Sequence, residues 1–257
     1  MPGAAYAPPV DEDNLHLVGS DEMAADAAVI VPASALVDDP AYRAGVVDLF
    51  GVLAYTQLVA FERLAADAAL APSISDEAAL AFMATAEVRQ FARLVERLTE
   101  LGVDPWEAML PFQEPLAEFH RQTAPSDWLE SLVKAYVGDG IATDFYREVA
   151  ELLDADSRAL VLEVCSDTGH ANFAVATVRA AIVADPRLAG RLALWGRRLV
   201  GEAMQQAQRV AAERDGLSSL LVGDVDREGL GLVELGELFV RLTEAHTLRM
   251  SMLGLQS

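Results

Sequence analysis

Apolar residues recur every three or four positions along most of the chain after residue 42, which is the period of helices that bury one face. Caps, glycines and Asp-Pro pairs interrupt this period and set the helix ends. The pattern predicts six helices, over about residues 43–69, 75–101, 126–153, 156–184, 187–214 and 232–253.

A longer segment, about residues 104–124, connects the second and third predicted helices. It opens with Asp104-Pro105-Trp106-Glu107, a capping-box start with proline at the first helical position, and Pro111 and Pro115 keep its helix short. Two long hairpins joined by such a crossover have the connectivity of a ferritin-like bundle. The sequence therefore predicts an all-α, ferritin-like four-helix bundle with two additional C-terminal helices. A plain helical bundle without a site is the alternative.

The predicted helices divide the chain into three parts. Residues 1–42 are expected to be an acidic, largely disordered arm, because the first forty residues contain eight acidic residues and no Lys or Arg. Residues 43–184 form the four-helix bundle in this prediction, and the helices of residues 185–257 pack on it. A hydrophobic content of 53% with only 7% aromatic residues favours helix packing over sheets.

Charge and cysteine content narrow the classes of function. The formal net charge of -21 argues against non-specific binding to a polyanion. The single cysteine, Cys165, excludes a disulfide framework. We find no apolar run of the ~20 residues that cross a bilayer and no basic signal segment, so we expect a cytoplasmic protein without a membrane partner.

Polar residues fall on the apolar faces of the first two predicted helices. At ~100° per residue, Gln57 lies at the centre of the first apolar stripe, and Glu62 points away from it. Glu87 lies within the second stripe, and Gln90 follows one turn later at its edge. A carboxylate on an apolar face is seldom tolerated unless it is paired or bound to a cation, which makes Glu87 the best single indication of a site.

The third and fourth predicted helices carry the remaining candidates. Asp167-Thr168-Gly169-His170 has the carboxylate-x-x-His spacing that allows two side chains of one helix to bind one metal. Asp139 and Asp144 lie ~140° apart on the third helix, so either can face the interior. The predicted metal ligands are Glu87, Asp139 or Asp144, Asp167 and His170, with Gln57 and Gln90 at degenerate positions.

The chain resembles a bacterial ferritin-like family similar to the tRNA 2-methylthio-isopentenyl-adenosine hydroxylase, a non-haem di-iron monooxygenase. The resemblance covers about residues 43–254. Its matching stretches are residues 58–64, 86–90, 136–139, 144–146, 167–173, 194–202 and 242–250. It implies an iron cofactor, hydroxylation of a C–H bond and a tRNA or small-molecule substrate. Such relatives would have an acid and a histidine where this chain has Gln57 and Gln90.

Two functions follow from this pattern. The first is a di-iron hydroxylase with two unusual amide ligands. The second is a non-catalytic ferritin-like scaffold or binding protein that has lost the di-iron centre, so that one metal or none is bound and a homodimer is one candidate assembly. Arg187, Arg191, Arg198 and Arg209 lie close together around the fifth predicted helix and are the candidate tRNA-binding surface, with a solvated face as the alternative.

Overall fold

The computed structural model describes residues 39–166, 170–223 and 229–256, and the all-α prediction is confirmed across them. The helices, in chain order, are α1 Pro40–Asp67, α2 Ile74–Glu100, α3 Pro105–Met109, α4 Gln113–Gln122, α5 Trp128–Ala150, α6 Ala155–Val164, α7 His170–Ala184, α8 Leu188–Glu213, α9 Asp215–Val222 and α10 Leu232–Met252.

Local capping explains where the helices of the first hairpin begin. The Asp39 carboxylate accepts a hydrogen bond from the Ala41 N–H at 2.9 Å, and Pro40 occupies the first turn. Helix α1 therefore begins three residues earlier than predicted. Ser73, rather than Ser75 or Asp76, caps α2 by accepting from the Asp76 N–H at 3.2 Å. The two helices pack along most of their length.

The crossover and the third long helix follow the prediction. Asp104 accepts from the Trp106 N–H at 2.9 Å and starts α3, and α4 completes the connection. Asp127 caps α5 by accepting from the Glu130 N–H at 2.9 Å. Helix α5 continues through Gly138 and Gly140 without a break, as expected.

The fourth predicted helix is two helices in the structure. Helix α6 ends at Val164, Ser166 lies in a bend, and α7 begins at His170. The residues between them in the sequence, Ser-Asp-Thr-Gly, have low helix propensity. The prediction of one continuous helix over residues 156–184 was therefore wrong.

Buried side chains form two separate cores. The Phe50 cluster joins parts of α1, α2, α5, α6 and α9, and the Val133 cluster joins parts of α1, α2, α5, α7, α8 and α10. On α1 and α2 the two clusters are separated by residues 55–63 and 85–93. Gln57, Glu87 and Gln90 lie in these intervals, so the polar interruptions of the apolar stripes mark the level between the cores.

The C-terminal helices pack on the bundle, with α9 against α1 and with α8 and α10 against α5. A Cβ at Gly45 would lie 2.7 Å from the Gly216 oxygen, so the glycine allows α1 and α9 to approach closely. Arg214, just before α9, donates from Nε to the Asp48 carboxylate at 3.2 Å. The Asp48 side chain is buried at this contact between α1 and the start of α9.

One helical segment of the described residues is long and apolar enough to cross a membrane. The segment Pro40–Leu70 contains an 18-residue window of mean hydropathy 1.6, so the prediction that no apolar run is long enough to cross a bilayer was wrong for this segment. Protein buries 61% of this window, as is usual for a core helix.

Candidate functional site

A cavity of about 820 Å³ lies between the helices, and residues of α1, α2 and every helix from α4 to α10 line it. Its walls are mostly apolar and include side chains of both cores, such as Leu49 of the Phe50 cluster and Leu132 of the Val133 cluster. Exposed residues such as Arg63 and Arg147 also line it, so the cavity reaches solvent. A few polar groups interrupt the apolar walls.

Glu87 lies in the wall at the middle of α2 and is 6% exposed. Burial raises the pKa of its carboxyl group to about 8, and the charge of Asp139 adds to this effect. Gln90, one turn later, also lines the cavity and is half-buried. The prediction that Glu87 faces the interior is confirmed. At neutral pH this carboxyl group is mainly protonated and can donate a hydrogen bond.

Asp139 and Asp144 both line the cavity but have different surroundings. Asp139 is exposed and acts electrostatically on Glu87 and on the Cys165 thiol. Asp144 accepts a hydrogen bond from Arg249 of α10, which also donates to the Gly140 oxygen at 3.1 Å. A Cβ at Gly140 would overlap the Arg249 side chain, so this glycine is needed for the contact. Of the two aspartates, Asp139 is therefore the one whose charge acts on Glu87.

Gln57 is buried, at 8% exposure, but is not among the cavity-lining residues that the structure describes. Its Oε1 atom has no hydrogen-bond partner among those residues. Thr56, its neighbour in the sequence, lines the cavity and bonds Tyr146. At this level of α1, Thr56 therefore borders the cavity, while Gln57 is buried against other parts of the protein.

The other two predicted metal ligands are Asp167 and His170. Asp167 lies outside the described residues, and His170 begins α7 with a side chain that is likewise outside the description. Glu163, one turn before Asp167 in the sequence, is exposed and pairs with Arg93 at 3.3 Å. Nothing in residues 39–166, 170–223 and 229–256 groups three or more His, Cys, Asp or Glu side chains for a metal.

A di-iron carboxylate site takes a carboxylate from each of two helices and a Glu-x-x-His pair from each of the other two. Among the described residues, the carboxylates available to such a site are Glu87 and Asp139. A third carboxylate, Asp144, is already paired with Arg249. In the described part of the chain, the residues therefore do not fit a di-iron centre.

A second polar group, which the sequence pattern did not predict, lies in the cavity wall. We call it the Lys134 group: Lys134, His120, Asp67 and Arg63. Lys134 is buried, and its Nζ donates to the Thr123 oxygen at 2.7 Å. Burial lowers its pKa to about 8, partly offset by the charge of Asp67. The signal was available, since Lys134 is the only lysine of the chain and stands among apolar residues of a helix.

His120 shows the strongest effect of burial in this group. Burial lowers its pKa to about 3, with smaller contributions from the charges of Lys134 and Arg63, so the imidazole is neutral at ordinary pH. Its Nδ1 atom is buried without a hydrogen-bond partner in the described chain. His246 is buried as well. Burial raises the pKa of the Cys165 thiol to about 12, and Cys165 also lines the cavity.

The candidate tRNA-binding arginines of α8 are partly engaged with acids. Arg191 lies 2.7 Å from the Asp127 carboxylate and 2.6 Å from that of Glu130. Arg209 pairs with Glu213 at 2.9 Å. These ion pairs reduce the positive potential that the stripe can offer to a phosphate backbone.

Comparison with known proteins identifies the fold family. The profile of a ferritin-like domain family of actinomycetes matches residues 40–224. This match covers most of the chain, which therefore belongs to that family, and the predicted ferritin-like fold is confirmed. No curated protein matches the sequence.

Proposed function

We propose that this member of the ferritin-like family binds a small, largely apolar molecule in the cavity between its two cores. The observation that carries the proposal is the cavity itself, which at about 820 Å³ lies within the range of ligand pockets, roughly 300–1,000 Å³. A domain that only packed its helices would fill this space with side chains.

The polar groups in the wall support binding rather than metal chemistry. Ligand pockets are mostly apolar with a few well-placed polar groups. Glu87 provides a protonated carboxyl group at one place, and Lys134 provides an ammonium donor at another. Neither group belongs to a set of three metal-binding side chains among the described residues.

An iron-dependent hydroxylase acting on tRNA or a small molecule is the second candidate function. It is favoured by the electrostatic interaction between Glu87 of α2 and Asp139 of α5, two carboxylates that line the same cavity. Asp167 and His170 would have to complete the site, with Gln57 and Gln90 as neutral neighbours. Iron would supply the oxidising chemistry, and the described residues would contribute two ligands. For both candidate functions we propose a location in the cytoplasm, because most of the apolar window in α1 is buried within the protein.

Two measurements separate the candidates. The first is metal analysis of protein expressed with added iron: stoichiometric iron that a chelator removes with loss of thermal stability supports the hydroxylase. Metal-free protein whose melting temperature is unchanged by chelator supports the binding protein.

The second measurement is titration with an apolar fluorescent dye. Ala203 lines the cavity on α8, and Ala212 is exposed on the same helix outside it. We expect Ala203→Phe to weaken dye binding about tenfold or more by occupying the cavity, with Ala212→Phe unchanged. Equal binding by wild type and both variants, with circular dichroism spectra showing folded protein, would contradict a ligand in this cavity.

A further inference from the structure

The Lys134 group has unused capacity for hydrogen bonds. An ammonium group offers three donors, and the contact of Lys134 with the Thr123 oxygen uses one. The same nitrogen lies 5.6 Å from the centre of the Phe119 ring. In the described parts of the chain, no carboxylate lies within the 4.0 Å of an ion pair with Lys134. A buried ammonium without an ionic partner is costly, so a ligand that supplies a negative charge gains by binding there.

The charges and hydrogen-bond donors of the Lys134 group point to one class of ligand. Arg63 and Lys134 are positive, and His120 is neutral. With Asp67 ionised, the group has an excess of about one positive charge. A neutral imidazole has one N–H and one acceptor nitrogen, so the buried Nδ1 atom of His120 can donate a hydrogen bond to a ligand in the cavity or accept one there. Apolar side chains of the Val133 cluster, including Leu64, Leu80 and Met83, line the cavity as well.

We propose, on the basis of the proposed function, that the ligand is a carboxylic acid with an apolar chain, and that Lys134 and His120 bind its carboxylate. A carboxylate carries one negative charge, which matches the excess of the group. A phosphate monoester carries ~1.5–2 negative charges at neutral pH and would exceed it. The apolar chain lies along the cavity between the two cores, towards Glu87.

The test compares four ligands that share a dodecyl chain and differ in their polar end: laurate, dodecanol, dodecyl phosphate and dodecylamine. Isothermal titration calorimetry of the full chain, below the micelle concentration of each ligand, gives the dissociation constants. We expect laurate to bind roughly 10- to 100-fold more tightly than dodecanol, the ratio that one hydrogen-bonded charge contributes.

Two variants assign the effect to the site. Lys134→Met removes the charge and keeps the length of the side chain, so laurate should bind no better than dodecanol while dodecanol affinity stays the same. Arg121→Met is the matched control, because Arg121 is exposed on α4 next to His120 in the sequence and pairs with Glu114. Lys134→Met should fold, since it removes a buried charge, and circular dichroism checks this.

A pH titration gives an independent measurement on unaltered protein. The groups facing Lys134 are Arg63 and Asp67 of α1 and His120 of α4. Laurate affinity should fall as Lys134 loses its proton at alkaline pH, and dodecanol affinity should not change.

The possible results are distinct. Equal affinities for laurate and dodecanol, unchanged by Lys134→Met, overturn the carboxylate assignment and leave the apolar cavity ligand standing. If dodecylamine binds more tightly than laurate, the carboxylate assignment is overturned, and the polar end of the ligand binds near Glu87 and Asp139 instead. If dodecyl phosphate binds more tightly than laurate, the inference that the ligand carries a single negative charge is overturned. If none of the four binds, both this inference and the proposed function fail.

Discussion

The buried carboxyl group of Glu87 should leave a measurable trace in the stability of the protein. Its pKa is about 8 in the folded chain, against the ordinary value of 4.5 expected after unfolding. Between these two values the folded state binds one proton more than the unfolded state. The free energy of unfolding therefore decreases as the pH rises through this window, by ~1.4 kcal/mol per pH unit for this group.

Glu87→Gln removes the titrating group and keeps the shape of the side chain. The difference in unfolding free energy between variant and wild type should grow in favour of the variant by about 3 kcal/mol from about pH 4.5 to about pH 7. Urea denaturation followed by circular dichroism at several pH values gives this difference directly. Other titrating groups contribute equally to both proteins and cancel.

Glu62→Gln is the matched control, because Glu62 is exposed on α1 and should show no such trend. Asp139→Asn is a second check, because it removes a negative charge that helps to raise the pKa of Glu87. In this variant the pKa of Glu87 should fall, so the pH range over which stability decreases should be narrower. Parallel stability curves for wild type and Glu87→Gln across the window would refute the reasoning, since Glu87 would then ionise equally in both states.

Two further substitutions test polar contacts between α1 and residues far along the chain. Arg214→Met should lower the free energy of unfolding by about 2–3 kcal/mol in urea denaturation, because it leaves the Asp48 carboxylate without its ion pair. The Asp48 side chain is only 8% exposed. Arg214 is partly exposed, so the effect should be smaller than for a fully buried pair. Adding Asp48→Asn should restore much of the loss. Tyr42→Phe should cost about 1–2 kcal/mol, because the Tyr42 hydroxyl donates to the Asp154 carboxylate and accepts from its N–H, each at 2.7 Å. An unchanged denaturation midpoint in either single variant would contradict the corresponding argument.

Periodicity predicted much of the candidate site, because it reports which side of a helix a residue occupies. It correctly placed Glu87 on an inner face and Glu62 on an outer face. It placed Gln57 in the interior but could not tell the cavity from the packed side of the same helix. That distinction depends on which neighbours surround α1, and the neighbouring residue, Thr56, faces the cavity instead.

Periodicity failed where a contact partner comes from far along the chain. Asp48 sits on what would be the solvent side of a four-helix bundle and is buried only because Arg214 and α9 cover it. The spacing within α5 does not distinguish Asp139 from Asp144, because the difference between them is the contact of Asp144 with Arg249 of α10.

The amino-acid sequence by itself determined the long helices of the first hairpin, the crossover and the interval of polar residues on α1 and α2, because these depend on propensities and spacings within one segment. Only the tertiary structure decided that this interval borders a cavity, that Lys134 and His120 form a second polar group in its wall, and that the charge of Asp139 acts on Glu87. Such features depend on which helices meet, and on how completely their side chains fill the space between them, and neither is encoded in any single stretch of the chain.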